Sequence, residues 1–278
     1  MPGEPPASHA RSCGLPHAAG TGAWVLDLDG VVWLSGEPIP GAGEAVRLLR
    51  AAGARVLFAS NNSSPTVADL VRRLGDCGIP AGPDDIVTSA MAAASMLDRG
   101  GRALVVGDDG LMEALAERGV HATRAADDGR AAGAGPPDAV VVGYTRRFDY
   151  EVLRRAADAV RAGARLIGTN EDATLPTPQG PVPGAGSILA AVATAAGAAP
   201  VIAGKPHPPV ASLIEARAGR VAAVVGDRPS TDGALARLLG VPFALVLTGV
   251  TARPIDGLEP APAFVGDDLL AVARGATD

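Results

Sequence analysis

The chain has 278 residues, 47% of them apolar and only 3% aromatic, so it can bury a sizeable core, built mostly of Ala, Val and Leu. The formal charge is −6 and no basic stripe stands out, which argues against nucleic-acid binding. Cys13 and Cys77 cannot build a disulfide framework and no apolar run is long enough to span a bilayer, so a cytoplasmic protein without a membrane partner is expected. Residues 1–20 lack a hydrophobic stretch of signal-peptide type and read as a disordered arm. The histidines (His9, His17, His121, His207) show no zinc-ligand spacing.

From residue 22 onward, short β-rich runs alternate with longer helical patterns. The spacing predicts strands over 23–28, 55–60, 103–106, 139–142, 165–169, 201–203, 222–225 and 243–247. It predicts helices over 41–52, 65–75, 89–98, 110–118, 149–162, 185–196, 208–218 and 230–239. Alternation of this kind implies βαβ units and a parallel sheet, and the continuous apolar strand runs fit a sheet covered on both faces. So many units exceed one compact layer. The Pro/Gly-rich stretches near 80–83 (PAGP) and 176–186 (PTPQGPVPGAG) are candidate seams, so a smaller α/β module set into a larger one is expected.

Four strand ends carry chemistry. "WVLDLDGVVW" places Asp27 and Asp29 two residues apart, hence on one face of an extended chain. Two carboxylates inside a covered sheet are costly unless paired or metal-bound, which points to the carboxyl end of the strand, where open α/β sheets place their ligands. The competing reading is ordinary Asp-Gly turn chemistry at Asp29-Gly30. "FASNNSS" ends a second strand with Ser60 and Asn61, either an anion cradle before a helix or simply a helix N-cap. "VIAG" leads to Lys205, the only lysine among the 24 basic residues. A GC-biased genome explains why lysine is scarce but not why the exception falls at a strand end; the alternative is a solvated loop charge. "AAVVGDRPSTD" ends a fourth strand at Asp227, with Asp232 five residues later, where it could instead complement a helix dipole.

Taken together, Asp-x-Asp, Ser-Asn, Lys and Gly-Asp are the set needed to hold a phosphate and a divalent cation. Carboxylates suit Mg²⁺, a hard ion that prefers oxygen. Mg²⁺ and one ammonium would neutralise the equatorial oxygens of a phosphoryl group. A carboxylate, already ionised near neutral pH, can attack phosphorus, while a second carboxyl protonates the leaving alkoxide and then activates water. Lysine, a compact point charge, suits contact with both nucleophile and phosphoryl group better than arginine's planar fork.

On "DLDGVVW", "SNNSS", "AGKPHP" and "GDRPSTD", in that order, the chain resembles the haloacid dehalogenase (HAD) superfamily of phosphatases, and within it the NagD-like, p-nitrophenyl phosphatase-like subfamily IIA. The resemblance covers about residues 22–270 and implies a Rossmann-like, doubly wound parallel sheet core (21–80 and 200–278) with an inserted α/β cap domain of C2 type (81–199). By the same resemblance Asp27 would be nucleophile and Mg²⁺ ligand, and Asp29 general acid/base with its backbone carbonyl on the metal. Ser60 and Asn61 would bind the phosphoryl group, Lys205 would bridge it to the nucleophile, Asp227 would be a further Mg²⁺ ligand, and Asp232 would hold the metal's water shell. Many relatives begin the second motif with Thr; Ser60 keeps the hydroxyl.

The resemblance further implies a small phosphorylated metabolite as substrate, and a homodimer paired through the cap, although no exposed apolar stripe supports that pairing here. A glycerol-3-phosphate- or phosphoglycolate-type substrate is favoured over pyridoxal phosphate or a nucleotide. The reason is that loop 170–178 (NEDATLPTP), where leaving-group contacts are expected, has no aromatic. A non-enzymatic phosphoacceptor of receiver type lacks an equivalent of Asp29 and is much shorter. A degenerate binding protein of the same family finds no support in the motif residues. A dinucleotide-binding oxidoreductase would need a full G-x-G-x-x-G after a strand, which neither "GTG" at 20–22 nor "GAGS" at 184–187 supplies.

Overall fold

The computed structural model describes residues 22–34, 36–127, 135–175, 177 and 179–277; the arm expected over residues 1–20 lies outside them. In chain order the first strands are β1 (Ala23–Leu26), β2 (Trp33–Leu34), β3 (Glu37–Pro38), β4 (Arg55–Ser60) and β5 (Ile86–Thr88). Next come β6 (Arg102–Val106), β7 (His121–Arg124), β8 (Ala139–Val142), β9 (Arg165–Gly168), β10 (Thr174–Leu175) and β11 (Val182–Pro183). The last are β12 (Val201–Ile202), β13 (Val221–Gly226), β14 (Phe243–Val246) and β15 (Phe264–Gly266). The helices are α1 (Ala42–Ala51), α2 (Val67–Asp76), α3 (Ser89–Ser95), α4 (Asp109–Arg118), α5 (Tyr150–Arg161), α6 (Ala185–Ala196), α7 (Pro208–Ala218), α8 (Ala234–Leu239) and α9 (Leu269–Thr277).

Two parallel sheets organise these elements. The first has strand order β15-β14-β13-β1-β4-β5 and the second β12-β9-β8-β6-β7. In the first sheet the chain winds outward from β1 through β4 to β5, then returns on the other side through β13, β14 and β15. The β1–β13 boundary is therefore a topological switch point, where loops diverge and leave a crevice at the carboxyl ends. β2 pairs with β3, and β10 with β11, as small antiparallel hairpins.

Every predicted strand and helix is present. The hairpin strands β2, β3, β10 and β11, the strands β5, β7 and β15 and the helix α9 were not predicted: the hairpin strands are two residues long, β5 and β15 are three, and β7 (HATR) has no apolar run to read. The chain changes sheets later than the expected seams. β5, beyond residue 80, pairs with β4 in the first sheet, and β12, beyond residue 199, pairs with β9 in the second. The Pro/Gly stretches mark loops, whereas strand pairing decides where the sheets divide.

Three apolar clusters cover the sheet faces. One packs Trp24, Leu26, Phe58 and Val225 against α1, α2 and α9. A second holds Val25, Ala59 and Val87 of the first sheet together with Val105, Val141 and Ile167 of the second, so the two sheets share a core in which α3 lies. The third covers the far face of the second sheet under α5 and α6. Among the described residues no helix is long and apolar enough to cross a membrane.

Helix α2 begins just after the Ser60–Asn61 loop and fixes where that loop ends. Its start is a capping box: Thr66 Oγ1 accepts from the Asp69 N–H at 3.1 Å while Asp69 Oδ2 accepts from the Thr66 N–H at 3.2 Å. Thr66→Ala is expected to cost about 1 kcal/mol, read as a lower denaturant midpoint with an unchanged slope, while Thr66→Ser retains most of the stability.

Candidate active site

The strand ends converge on one cavity. Asp27 and Asp29 follow β1, Ser60 and Asn61 close and follow β4, Asp227 follows β13, and Asp232 lies in a short π-helical turn (Pro229–Gly233) before α8. Lys205 arrives from a different direction than the sequence suggests. It follows β12, the edge strand of the second sheet, and its ammonium reaches across to the first. Asp27, Asp29, Asn61 and Lys205 line a cavity of about 70 Å³ together with Asn62, Tyr144, Asn170, Asp172, Leu175 and Arg228. Ser60 is buried beside it, and its Oγ accepts from the Asn62 N–H at 3.1 Å.

Lys205 Nζ lies 2.8 Å from Asp27 Oδ1 and 2.7 Å from Asp232 Oδ1. Burial works against its charge, but the Asp232 and Asp27 carboxylates outweigh burial and hold its pKa above the ordinary value. Asp27 Oδ1 also accepts the Leu28 N–H at 2.7 Å, whereas Oδ2 has no protein partner among the described residues. Asp227 Oδ2 accepts from the Val250 N–H at 2.6 Å. Gly30, at φ 85°, makes room for that carboxylate: a Cβ there would lie 2.6 Å from Asp227 Oδ2.

Burial raises the pKa of Asp27 well above the carboxylate range, with Lys205 opposing, and raises those of Asp29 and Asp227 as well. Asp227 is pushed up to about 6, first by burial and then by the Asp232 charge. Asp27, Asp29, Asp227 and Asp232 thus face a single buried ammonium, and Arg228, on the cavity wall, is partly exposed and engaged with Asp172 at 3.7 Å. Carboxylate oxygens of Asp27, Asp227 and Asp232 all lie within 4.8 Å of one another. An all-oxygen donor set with excess negative charge fits a hard divalent cation and offers nothing to a thiophilic one.

Asp29 stands apart from that cluster. Its Oδ1 accepts from Trp33 Nε1 at 3.0 Å, and the Arg73 guanidinium lies 4.2 Å over the Trp33 ring. This contact was missed in the sequence, where the Asp29-x-x-x-Trp33 spacing in a chain with two tryptophans was the available signal. Tyr144 was missed too: the aromatic absent from loop 170–178 is supplied from beyond β8. Within that loop Asp172 and Asn170 do reach the cavity; Pro176 and Pro178 lie outside the described residues.

Residues 24–121 match the family model of haloacid dehalogenase-like hydrolases, and residues 202–272 match a second, HAD-hydrolase-like model. A D-glycerol 3-phosphate phosphatase of Mycobacterium tuberculosis is 39% identical over 253 residues, covering 88% of this chain and 69% of that one. A 5'-nucleotidase of Bacillus subtilis is 34% identical over 240 residues, covering 83% and 88%. A crystal structure of glycerol phosphate phosphatase from Mycobacterium tuberculosis in complex with magnesium superposes with a TM-score of 0.80 at 36% identity, covering 93% of this chain and 78% of that one.

The raised pKa of Asp227 has a direct consequence for the metal-free protein. Folding favours the protonated carboxyl, so its contribution to stability is full below the ordinary value of 3.8 and is lost as the pH rises through about 6. Asp227→Asn removes this titration. In chelator-treated protein, the melting temperature of the variant should gain on that of wild type as the pH rises from about 3.8 to about 6 and keep that lead at higher pH. A difference constant across that range would show that Asp227 does not titrate this way.

Proposed function

This chain belongs to the haloacid dehalogenase-like hydrolases, and from that premise we propose how its own residues carry the reaction. It is an Mg²⁺-dependent phosphatase acting on a small phosphorylated metabolite. In the proposed reading the first sheet and its helices are the catalytic core, and the second sheet, with α4 to α6, is the cap. Asp27, Asp227 and the backbone carbonyl of Asp29 would hold Mg²⁺, with Asp232 behind them. When bound, the ion supplies positive charge to the phosphoryl oxygens and to the surplus of carboxylates.

The observation that carries the mechanism is Asp27. Its Oδ1 is pinned by Lys205 and the Leu28 N–H, and its Oδ2 is left without a protein partner on the cavity wall. Oδ2 attacks phosphorus, the bond to the ester oxygen breaks, and an aspartyl-phosphate forms on Asp27. Asp29, with a pKa raised by burial, gives its proton to the leaving alkoxide. In the second half Asp29 takes a proton from water, the water oxygen bonds to phosphorus, and inorganic phosphate leaves Asp27 as it was. Ser60 helps cradle the phosphoryl group, and Lys205 holds the attacking carboxylate in place and meets the phosphoryl charge.

The cavity, about 70 Å³, presents polar side chains to a leaving group. Asn62, Asn170, Asp172 and Thr174 on its wall suit hydroxyl-rich groups, in line with a glycerol-3-phosphate- or phosphoglycolate-type substrate. The reading includes a cytoplasmic location and a homodimer formed through the cap, which light scattering on the purified protein tests.

Phosphate release from a panel of phosphomonoesters should require Mg²⁺, stop with chelator, and fall by about 10³-fold or more in Asp27→Asn. Full activity in that variant would refute the nucleophile. Lys205→Arg should lower kcat by about 100-fold or more, because the planar fork cannot occupy a point between Asp27 and Asp232. A kcat near wild type would remove Lys205 from the mechanism.

A further inference from the structure

Asn61 follows β4, next to Ser60, where a part in holding the phosphoryl group is the obvious role. Its side chain is already occupied. Asn61 Oδ1 accepts from the Lys205 N–H at 2.8 Å, and Asn61 Nδ2 donates to the Lys205 carbonyl at 3.2 Å and to Asp172 Oδ2 at 3.2 Å. The amide thus pairs with both polar groups of one residue's backbone, as neighbouring strand residues pair with each other. Its partners fix its orientation: reversed, an oxygen would face a carbonyl and a carboxylate, and the NH₂ would face an N–H. Both Nδ2 hydrogens are used, leaving no side-chain donor for a phosphoryl oxygen.

The segment so clasped needs an anchor. β12 is only two residues long and sits at the edge of the second sheet, while the partners of the Lys205 ammonium belong to the first. The Gly204 N–H donates to the Thr169 carbonyl at 2.8 Å, and a Cβ on Gly204 would lie 2.4 Å from that oxygen and 2.6 Å from Asn61 Oδ1. The chain at 204–205 is therefore threaded between the end of β9 and Asn61. The same β9 loop returns to Asn61: Asn170 Nδ2 donates to the Asn61 carbonyl at 2.7 Å, and Asp172 takes the second Nδ2 hydrogen.

We propose that the Asn61 side chain is a positioning residue for Lys205, fixing the backbone from which the ammonium reaches Asp27, and is not itself a ligand of the phosphoryl group. Asp172 and Asn170 make this clasp depend on the loop that leaves the second sheet. The proposal rests on the phosphatase reading above and reassigns one residue within it.

The test is a double-mutant cycle on the full chain with Mg²⁺, using calorimetric titration with inorganic phosphate alongside kcat. Asn61→Ala should lower kcat by about 10- to 100-fold, as a misplaced catalytic group does, and should weaken phosphate binding. On a Lys205→Ala background the same change should alter phosphate affinity by less than about twofold, because the group it positions is gone. An equal loss on both backgrounds would make the amide a phosphoryl ligand and overturn the proposal, as would an unchanged kcat in Asn61→Ala. If the alanine variant does not fold, Asn61→Asp gives the same comparison, since it turns an oxygen toward the Lys205 carbonyl and Asp172. Wild-type phosphate release that is lost in Asp27→Asn establishes the parent reading independently, so the two failures are distinguishable.

Discussion

Four carboxylates and one ammonium share a largely dry space at the end of a parallel sheet, and the surrounding structure is arranged to keep that charge tolerable. Asp232 is fully buried and Lys205 is 4% exposed, so neither can rely on water. Hydrogen bonds do part of the work: the Leu28 N–H for Asp27, the Val250 N–H for Asp227, the Arg228 N–H for Asp232 at 3.2 Å, and the Trp33 indole for Asp29. The remainder is a deficit of positive charge. A divalent cation answers it, and the phosphatase chemistry grows from the same deficit, because a site that draws in a hard cation also draws in the dianion that cation can neutralise.

The switch point between β1 and β13 is what makes such crowding constructible. Parallel strands turn their carboxyl ends to one side, and Asp27 and Asp227 follow adjacent strands there. The Asp27 N–H is still bonded to the Val225 carbonyl at 2.9 Å, so Asp27, the proposed nucleophile, sits on the last rung of the ladder and inherits its rigidity. In the proposed mechanism Asp27, Asp29 and Asp227 follow strands of the first sheet, whereas Lys205, Tyr144 and Asp172 come from the second sheet and its loops. Their shared apolar core gives the two sheets a fixed base, while polar contacts at Asn61, Asp172 and Arg228 close the seam next to the chemistry.

Much of the fold was legible because its strands are buried on both faces and therefore written as unbroken apolar runs, from "AWVL" to "FALV". Elements too short or too polar for that signature, β5, β7 and β15, escaped, since three residues of strand are specified by the neighbour they pair with. Pro and Gly report where a backbone turns, not which sheet a strand will join, and β5 and β12 take their sheets from the strands they pair with.

For the site, the sequence by itself determined the residue types and their placement at strand ends, Asp27 and Asp29, Ser60 and Asn61, Lys205 and Asp227, with Asp232 in the turn that follows the last of them. Those follow from local physics, because a carboxylate or a lysine after an apolar strand has few places to go. Only the tertiary structure decided who touches whom. It brought Lys205 in from the second sheet, placed Tyr144 and Asp172 on the cavity wall, set Trp33 against Asp29, and turned the Asn61 amide onto the backbone of Lys205. Those contacts join residues more than a hundred positions apart in the chain or depend on how a single turn closes, and no local pattern encodes a distance that packing alone sets.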